Sequence, residues 1–164
     1  MVGLIQRDRA IEAGKELASS RAHQPTRLEA KPSFGNLLLW KIVYEQKDFF
    51  YVDAVRVGIT PRVYEGTKTE KLDLDKHFPW LEIGSQQRKD IKRFYWFSNN
   101  YLGIDQNNEN KIIDIRYSML PDEIDALWGI ELSETATREE HVNWVTSREM
   151  NAKDIEKFWS MLFN

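Results

Sequence analysis

Charged side chains within apolar, strand-like segments are the residues of this sequence best placed to do chemistry. Asp53 and Arg56 lie in one such segment, and Asp114 and Arg116 lie in another. Two carboxylates that converge could bind a divalent metal or act as an acid–base pair. The arginines, together with Arg93, could bind an anion or an acidic partner. The alternative is structural, because a charge buried in a strand needs a partner to offset its desolvation. We favour two structural ion pairs at the edge of a sheet, and the five residues remain a candidate polar cluster.

The common catalytic motifs are absent from the sequence. It contains no nucleophile elbow, no phosphate-binding loop and no glycine-rich dinucleotide-binding turn. The three histidines, His23, His77 and His141, are scattered, and none has a second His or a Glu at the spacing of a zinc-binding helix. The chain has no cysteine, which excludes disulfides and thiolate chemistry. The sequence therefore predicts no catalytic residue, no metal ligand and no cofactor within this chain.

An aromatic segment, RFYWF at residues 93–97, resembles a platform on which nucleic-acid bases could stack beside basic side chains. However, the net charge is −3, so the chain lacks the general positive field that attracts phosphate. At helical spacing, Phe94 and Phe97 fall on one side with Ile91. We therefore predict core packing for these rings and no nucleic-acid partner.

Periodicity and turn residues predict an α+β fold with a mainly antiparallel sheet. A length of 164 residues fits one core, and 12% aromatic residues can fill it. Segments rich in Val, Ile, Tyr, Phe and Trp predict a central hairpin over residues 37–58, covered on both faces. Further strands are predicted at 111–119 and 124–132, a short edge strand at 141–146, helices at 4–21, 85–97 and 151–162, and irregular chain at 59–84.

The amino-terminal helix allows two interpretations. Its apolar stripe, which includes Leu4, Ile11, Gly14, Leu17 and Ala18, is thin and rich in small residues. It is typical of a surface helix packed weakly on the domain, or of a connecting helix that leaves a membrane segment. The longest apolar runs are far shorter than the roughly 20 residues that cross a bilayer. The sequence therefore predicts no membrane span in this chain.

Several blocks of the sequence, in order, resemble the carboxy-terminal region of the bacterial membrane-bound metal-dependent hydrolases. These blocks are KPSFGNLLLW (31–40), VY (43–44), YVDAVR (51–56), RFYWFS (93–98), DIRYSMLP (114–121) and LWGI (127–130). In that family the His and Asp residues held responsible for metal binding lie in amino-terminal membrane helices. No catalytic or metal residue is therefore carried over onto this chain.

The resemblance implies that residues 1–22 connect a membrane segment to one soluble α+β domain at 23–164. The divalent metal would be held in the membrane portion, which would also be the partner of this domain, and the substrate is unknown. It also implies the inner membrane as the location. Residues 1–31 carry six Lys and Arg against four Asp and Glu, and this excess favours the cytoplasmic face.

Three functions follow as alternatives. The first is an accessory domain of a membrane hydrolase, which recognises a substrate, a partner or the membrane surface. The second is a protein-interaction module that self-associates through an exposed sheet edge. The third is a hydrolase domain with a weak site on Asp53 and Asp114, which requires the two carboxylates to converge in one pocket.

Overall fold

Within the part of the chain that the structure describes, two four-stranded antiparallel sheets and four helices form the α+β fold that the sequence predicts. The computed structural model describes residues 2–163. The first sheet has the order β1-β2-β3-β4 and the second has the order β5-β6-β7-β8. The elements in chain order are α1 (Val2–Ser20), β1 (Arg27–Pro32), β2 (Leu39–Gln46), β3 (Phe49–Val57), β4 (Pro61–Glu70), α2 (Leu74–His77), α3 (Gln86–Phe97), β5 (Leu102–Ile104), β6 (Lys111–Asp114), β7 (Trp128–Glu131), β8 (Asn143–Thr146) and α4 (Ala152–Phe163).

The β2–β3 hairpin lies at the centre of the first sheet, and both of its faces are buried, as predicted. Because side chains alternate along a strand, one face contacts α1 and the other contacts the second sheet. Helix α3 covers the far side of the second sheet through Ile91 and Phe94. The layers are therefore α1, first sheet, second sheet and α3. The residues buried between the two sheets include Val43, Phe50, Val52, Ile113 and Ile115.

Helix α1 packs on the first sheet through small residues. Ala10, Ala13 and Ala18 are buried against the sheet. At Gly14 the approach is so close that a Cβ would lie 2.8 Å from Ile42 Cγ2. The predicted stripe was wrong at its first member, because Leu4 is 60% exposed. Among residues 2–163, no helix is both long and apolar enough to cross a membrane.

The prediction of irregular chain over 59–84 was wrong. This segment contains β4, the longest strand, and the short helix α2. β4 lies at an edge of the first sheet and is largely exposed, so it carries polar residues on both faces and shows no apolar alternation. Pro61 is tolerated because it is the first residue of the strand. Gly66 lies where a Cβ would be 2.1 Å from Val52 O, so only glycine fits there.

The strands predicted at 111–119 and 124–132 are shorter than expected. β6 ends at Asp114, whose carboxylate accepts a hydrogen bond from the Arg116 backbone amide at 3.1 Å and starts a turn. β7 begins at Trp128, and an isolated bridge joins Ser118 to Ala126 beyond the β6–β7 ladder. β5 was not predicted, because three residues are too few to show a period.

The two later helices begin and end close to their predicted limits. The Ser85 hydroxyl caps α3 by accepting from the Arg88 amide at 3.3 Å. The Asn151 side chain caps α4 by accepting from the amides of Lys153 and Asp154, and the Asp154 carboxylate accepts from the Asn151 amide in return. β8 forms the predicted edge strand within 141–146.

Candidate functional site

Asp53 is bound by an arginine that the sequence did not pair with it. Arg21, just after α1, donates from Nη1 to Asp53 Oδ2 at 2.8 Å and from Nη2 to Oδ1 at 2.9 Å. The same oxygen Oδ1 accepts from the Gly66 amide at 3.0 Å, where a register shift interrupts the β3–β4 ladder. The hydrogen bond to Asp53 raises the pKa of Arg21 above its ordinary value. The carboxylate, 1% exposed, thus connects α1, β3 and β4.

Asp114 forms a second, separate ion pair. Arg116 donates from Nε to Asp114 Oδ1 at 2.9 Å and from Nη2 to Oδ2 at 2.7 Å. Arg116 Nη2 also donates to the carbonyl of Phe97 at the end of α3, at 3.0 Å. The carboxylate is fully buried and the guanidinium is nearly so. This pair therefore ties the end of β6 to the end of α3.

The five candidate residues do not form one cluster. Asp53 faces α1 and Asp114 lies in the second sheet, each held bidentately by its own arginine, so the pairs are internal and not at a sheet edge. Arg56 lies at the far end of β3, opposite Leu39 and away from Arg21. Its buried Nε has no hydrogen-bond partner among the described residues. Arg93 lies on an exposed face of α3. No group of three or more His, Asp or Glu in residues 2–163 could hold a metal ion.

Lys41 is a buried charged residue that the sequence analysis missed. Its Nζ donates to Ser118 Oγ and to Glu123 O, each at 2.6 Å. Burial lowers the pKa of Lys41 to about 7, against the opposing influence of the Asp122 and Asp114 carboxylates. The Ser118 hydroxyl donates to the Leu120 carbonyl, so its proton points away from the lysine. Lys41 therefore holds the 118–123 segment against β2.

A groove of about 740 Å³ runs along the exposed face of α3. Lys89, Lys92, Arg93, Trp96 and Phe97 line one wall, and their spacing of three and four residues places them on a single helix face. Trp128 of β7 and Trp144 of β8 form the other wall. We call this surface the aromatic groove.

Ring contacts fix the walls of the aromatic groove. Trp144 meets the buried Phe94 edge-on, with ring centroids 5.5 Å apart, and Trp128 meets Phe97 in the same way at 6.5 Å. Trp96 is nevertheless 85% exposed and Phe97 54%. The prediction of core packing was therefore correct for Phe94 and wrong for Phe97. A helix with aromatic residues on two faces gives no sequence signal that separates the core face from a binding face.

The aromatic groove is cationic as well as apolar. Lys89, Lys92 and Arg93 are exposed, and none of them forms an ion pair with a described residue. No carboxylate lines the groove within the described part of the chain. The three cations occupy the first half of the α3 face and the aromatic side chains the second half. In a chain of net charge −3, this is a local reversal of sign.

Exposed apolar side chains also gather at the amino-terminal end of α1. We call them the end patch, and each exposes at least 44% of its area: Leu4, Ile5, Phe34, Leu37, Leu38 and Ile59. They come from three segments that meet in space. A Cβ at Gly3 would lie 3.8 Å from Leu37 Cδ2. Arg9 Nη2 donates to the Ile59 carbonyl at 3.1 Å, and the Val57 amide donates to Leu38 O at 2.7 Å.

The sequence did not predict that Leu37 and Leu38 belong to an exposed patch. Leu37 and Leu38 were predicted to begin the first hairpin strand, but β2 begins at Leu39 and the two preceding side chains are exposed. Their position is set by Asn36, whose side chain accepts from the amides of Leu38 and Leu39 at 3.0 and 2.7 Å.

No protein-family model, curated protein or solved structure matches this chain.

Proposed function

We propose that this chain is the accessory domain of a membrane-bound metal-dependent hydrolase and that it rests against the bilayer through the end patch. The catalytic metal site lies outside this chain, in a membrane portion that is also its partner. The observation that carries the membrane contact is that three segments with six exposed apolar side chains meet at one end of α1. Exposed apolar side chains grouped in this way are typical of an interaction site.

A lipid surface fits the chemistry of the end patch. Leucine, isoleucine and phenylalanine side chains enter the boundary between headgroups and acyl chains, where their burial is favourable. Arg7 is exposed and Arg9 is partly exposed next to the patch, and both would face anionic headgroups. The patch includes Leu4 and Ile5 at the start of α1, next to which the family resemblance places the preceding membrane segment. The excess of Lys and Arg in residues 1–31 supports the cytoplasmic face.

The carboxylates of the chain support a non-catalytic role. Asp53 and Asp114, the residues on which a site within the domain would depend, each accept two hydrogen bonds from an arginine. A divalent ion would have to displace a guanidinium in order to bind either of them. Recognition of the substrate or positioning of the membrane portion is the role that remains.

A hydrolysis assay tests the location of the chemistry. The purified chain should not hydrolyse phosphoester or amide substrates when Mg²⁺, Mn²⁺ or Zn²⁺ is added. Turnover that disappears in Asp53→Asn or Asp114→Asn would overturn this proposal and restore the site on those carboxylates. The full reading frame provides a second test, because membrane helices encoded upstream of residue 1 are required.

Self-association through a sheet edge is the second candidate. Among the described strands, β8 pairs with β7 alone, and Trp144 in this strand is exposed. An unpaired edge of this kind can accept a strand from another copy of the chain. Sedimentation over a wide concentration range distinguishes the two candidates, since a concentration-independent monomer would contradict self-association and leave the accessory-domain proposal intact.

A further inference from the structure

We propose that the aromatic groove binds one molecule of an anionic, single-chain amphiphile. Its acid group lies at Lys89, Lys92 and Arg93, and its apolar chain lies between the two aromatic walls, against Trp96, Phe97, Trp128 and Trp144. The groove lies on α3 and the second sheet, whereas the end patch belongs to α1 and the first sheet. The inference is therefore independent of the membrane contact proposed above.

The polarity of the groove argues for an amphiphile. Lys89 and Trp96 are seven residues apart on α3, so these two ends of the groove lie about 10 Å apart along the helix axis. A ligand with an acid group at one end and an apolar chain at the other satisfies both halves. A purely apolar ligand would leave the cations without a role, and a simple anion would leave the aromatic wall uncovered.

The charges of the groove select an anion. Lys89, Lys92 and Arg93 form no ion pair with a described residue, and no described carboxylate lines the groove. An incoming phosphate or carboxylate therefore displaces no internal partner. Hydrogen bonds from ammonium and guanidinium groups to such an anion are stronger than bonds between neutral groups.

The aromatic wall is preorganised for an apolar chain. Trp144 and Phe97 are held by edge-on contacts with Phe94 and Trp128, so little side-chain freedom is lost on binding. Apolar walls with a few placed polar groups are typical of small-molecule sites. Single-stranded nucleic acid would use the same rings and cations, but the net charge of −3 opposes a polyanion.

Titration with dodecyl phosphate, below its micelle concentration, tests the proposal. Calorimetry should show one site, and bound ligand should raise the melting temperature of the chain, because it stabilises the folded state. Dodecyl maltoside and inorganic phosphate, which lack the charge and the chain respectively, should bind at least about tenfold more weakly. Equal binding of the maltoside, many sites per chain, a fall in melting temperature, or tighter binding of oligothymidylate would each overturn the proposal.

Matched variants locate the site. Lys92→Glu/Arg93→Glu should weaken dodecyl phosphate binding about tenfold or more, because two favourable charges become repulsive. The control Arg148→Glu/Lys153→Glu makes the same change at exposed positions outside the groove and should bind as the wild type. Trp144→Ala should also weaken binding, and its control Trp159→Ala, on α4, should not. Affinities that do not distinguish variants from controls would overturn the assignment.

Discussion

Arg21 holds both carboxylate oxygens of Asp53, at 2.8 and 2.9 Å, across 32 positions of the sequence. The carboxylate is buried beneath the end of α1, and its Oδ1 also replaces a missing ladder bond by accepting from the Gly66 amide. One ion pair thus fixes the end of the helix on β3, at the register shift between β3 and β4. This relationship accounts for a charge in the middle of an apolar strand without a catalytic role.

Removal of the Arg21 guanidinium should destabilise the fold strongly. Arg21→Met leaves the Asp53 carboxylate buried without its counter-ion, which costs about 3 kcal/mol of unfolding free energy. Asp53→Asn should lower the unfolding free energy by less, because the side-chain amide oxygen can still accept a hydrogen bond from the Gly66 backbone amide. Denaturant unfolding measures both changes. Arg7→Met is the control and should change stability little, since the Arg7–Asp8 ion pair is exposed and 3.5 Å long. An effect of Arg21→Met no larger than that of Arg7→Met would contradict the assignment.

Lys41 should make stability depend on pH in the alkaline range. Its pKa is about 7 in the folded chain and near 10.5 when unfolded. Between these values the unfolded state binds more protons, so stability rises with pH, by up to about 1.4 kcal/mol per pH unit. Below pH 7 the full cost of burying the charge is present, and above 10.5 it is absent.

The variant Lys41→Met isolates this dependence. The unfolding free energy of the wild type minus that of Lys41→Met should increase from pH 7 to pH 9.5. The contributions of the other titrating groups cancel in this difference, so the increase belongs to Lys41. Guanidinium unfolding at several pH values gives both quantities. A difference that stays constant with pH would show that Lys41 keeps its ordinary pKa.

The cap of α4 should contribute measurably to stability. The Asn151 side chain satisfies two backbone amides, those of Lys153 and Asp154. Asn151→Ala should therefore reduce the unfolding free energy by about 1 kcal/mol. Asn107→Ala, at an exposed turn, serves as the control and should have little effect. If thermal melts of the two variants coincided, the cap would contribute nothing.

The sequence alone predicts those elements whose structure is determined by a local signal. Ser85 and Asn151 mark the starts of α3 and α4, and the apolar β2–β3 hairpin is evident from composition alone. β4 was missed because an exposed edge strand needs no apolar period. The Arg21–Asp53 pair depends on how α1 lies on the first sheet, which no local pattern encodes. Lys41 was missed for the same reason, since its partners Ser118 and Glu123 are about 80 residues away.

Vesicle binding tests the central claim most directly. The chain should co-sediment with vesicles of phosphatidylglycerol and phosphatidylethanolamine, and Leu4→Ser/Ile59→Ser should reduce the partition coefficient about tenfold, because two apolar side chains no longer enter the bilayer. These side chains are exposed, so the fold should be unaffected. The control Ile83→Ser/Ile155→Ser alters exposed isoleucines outside the end patch and should bind as the wild type. Failure of the wild type to bind, or equal binding of the patch variant and the control, would contradict the proposed membrane contact.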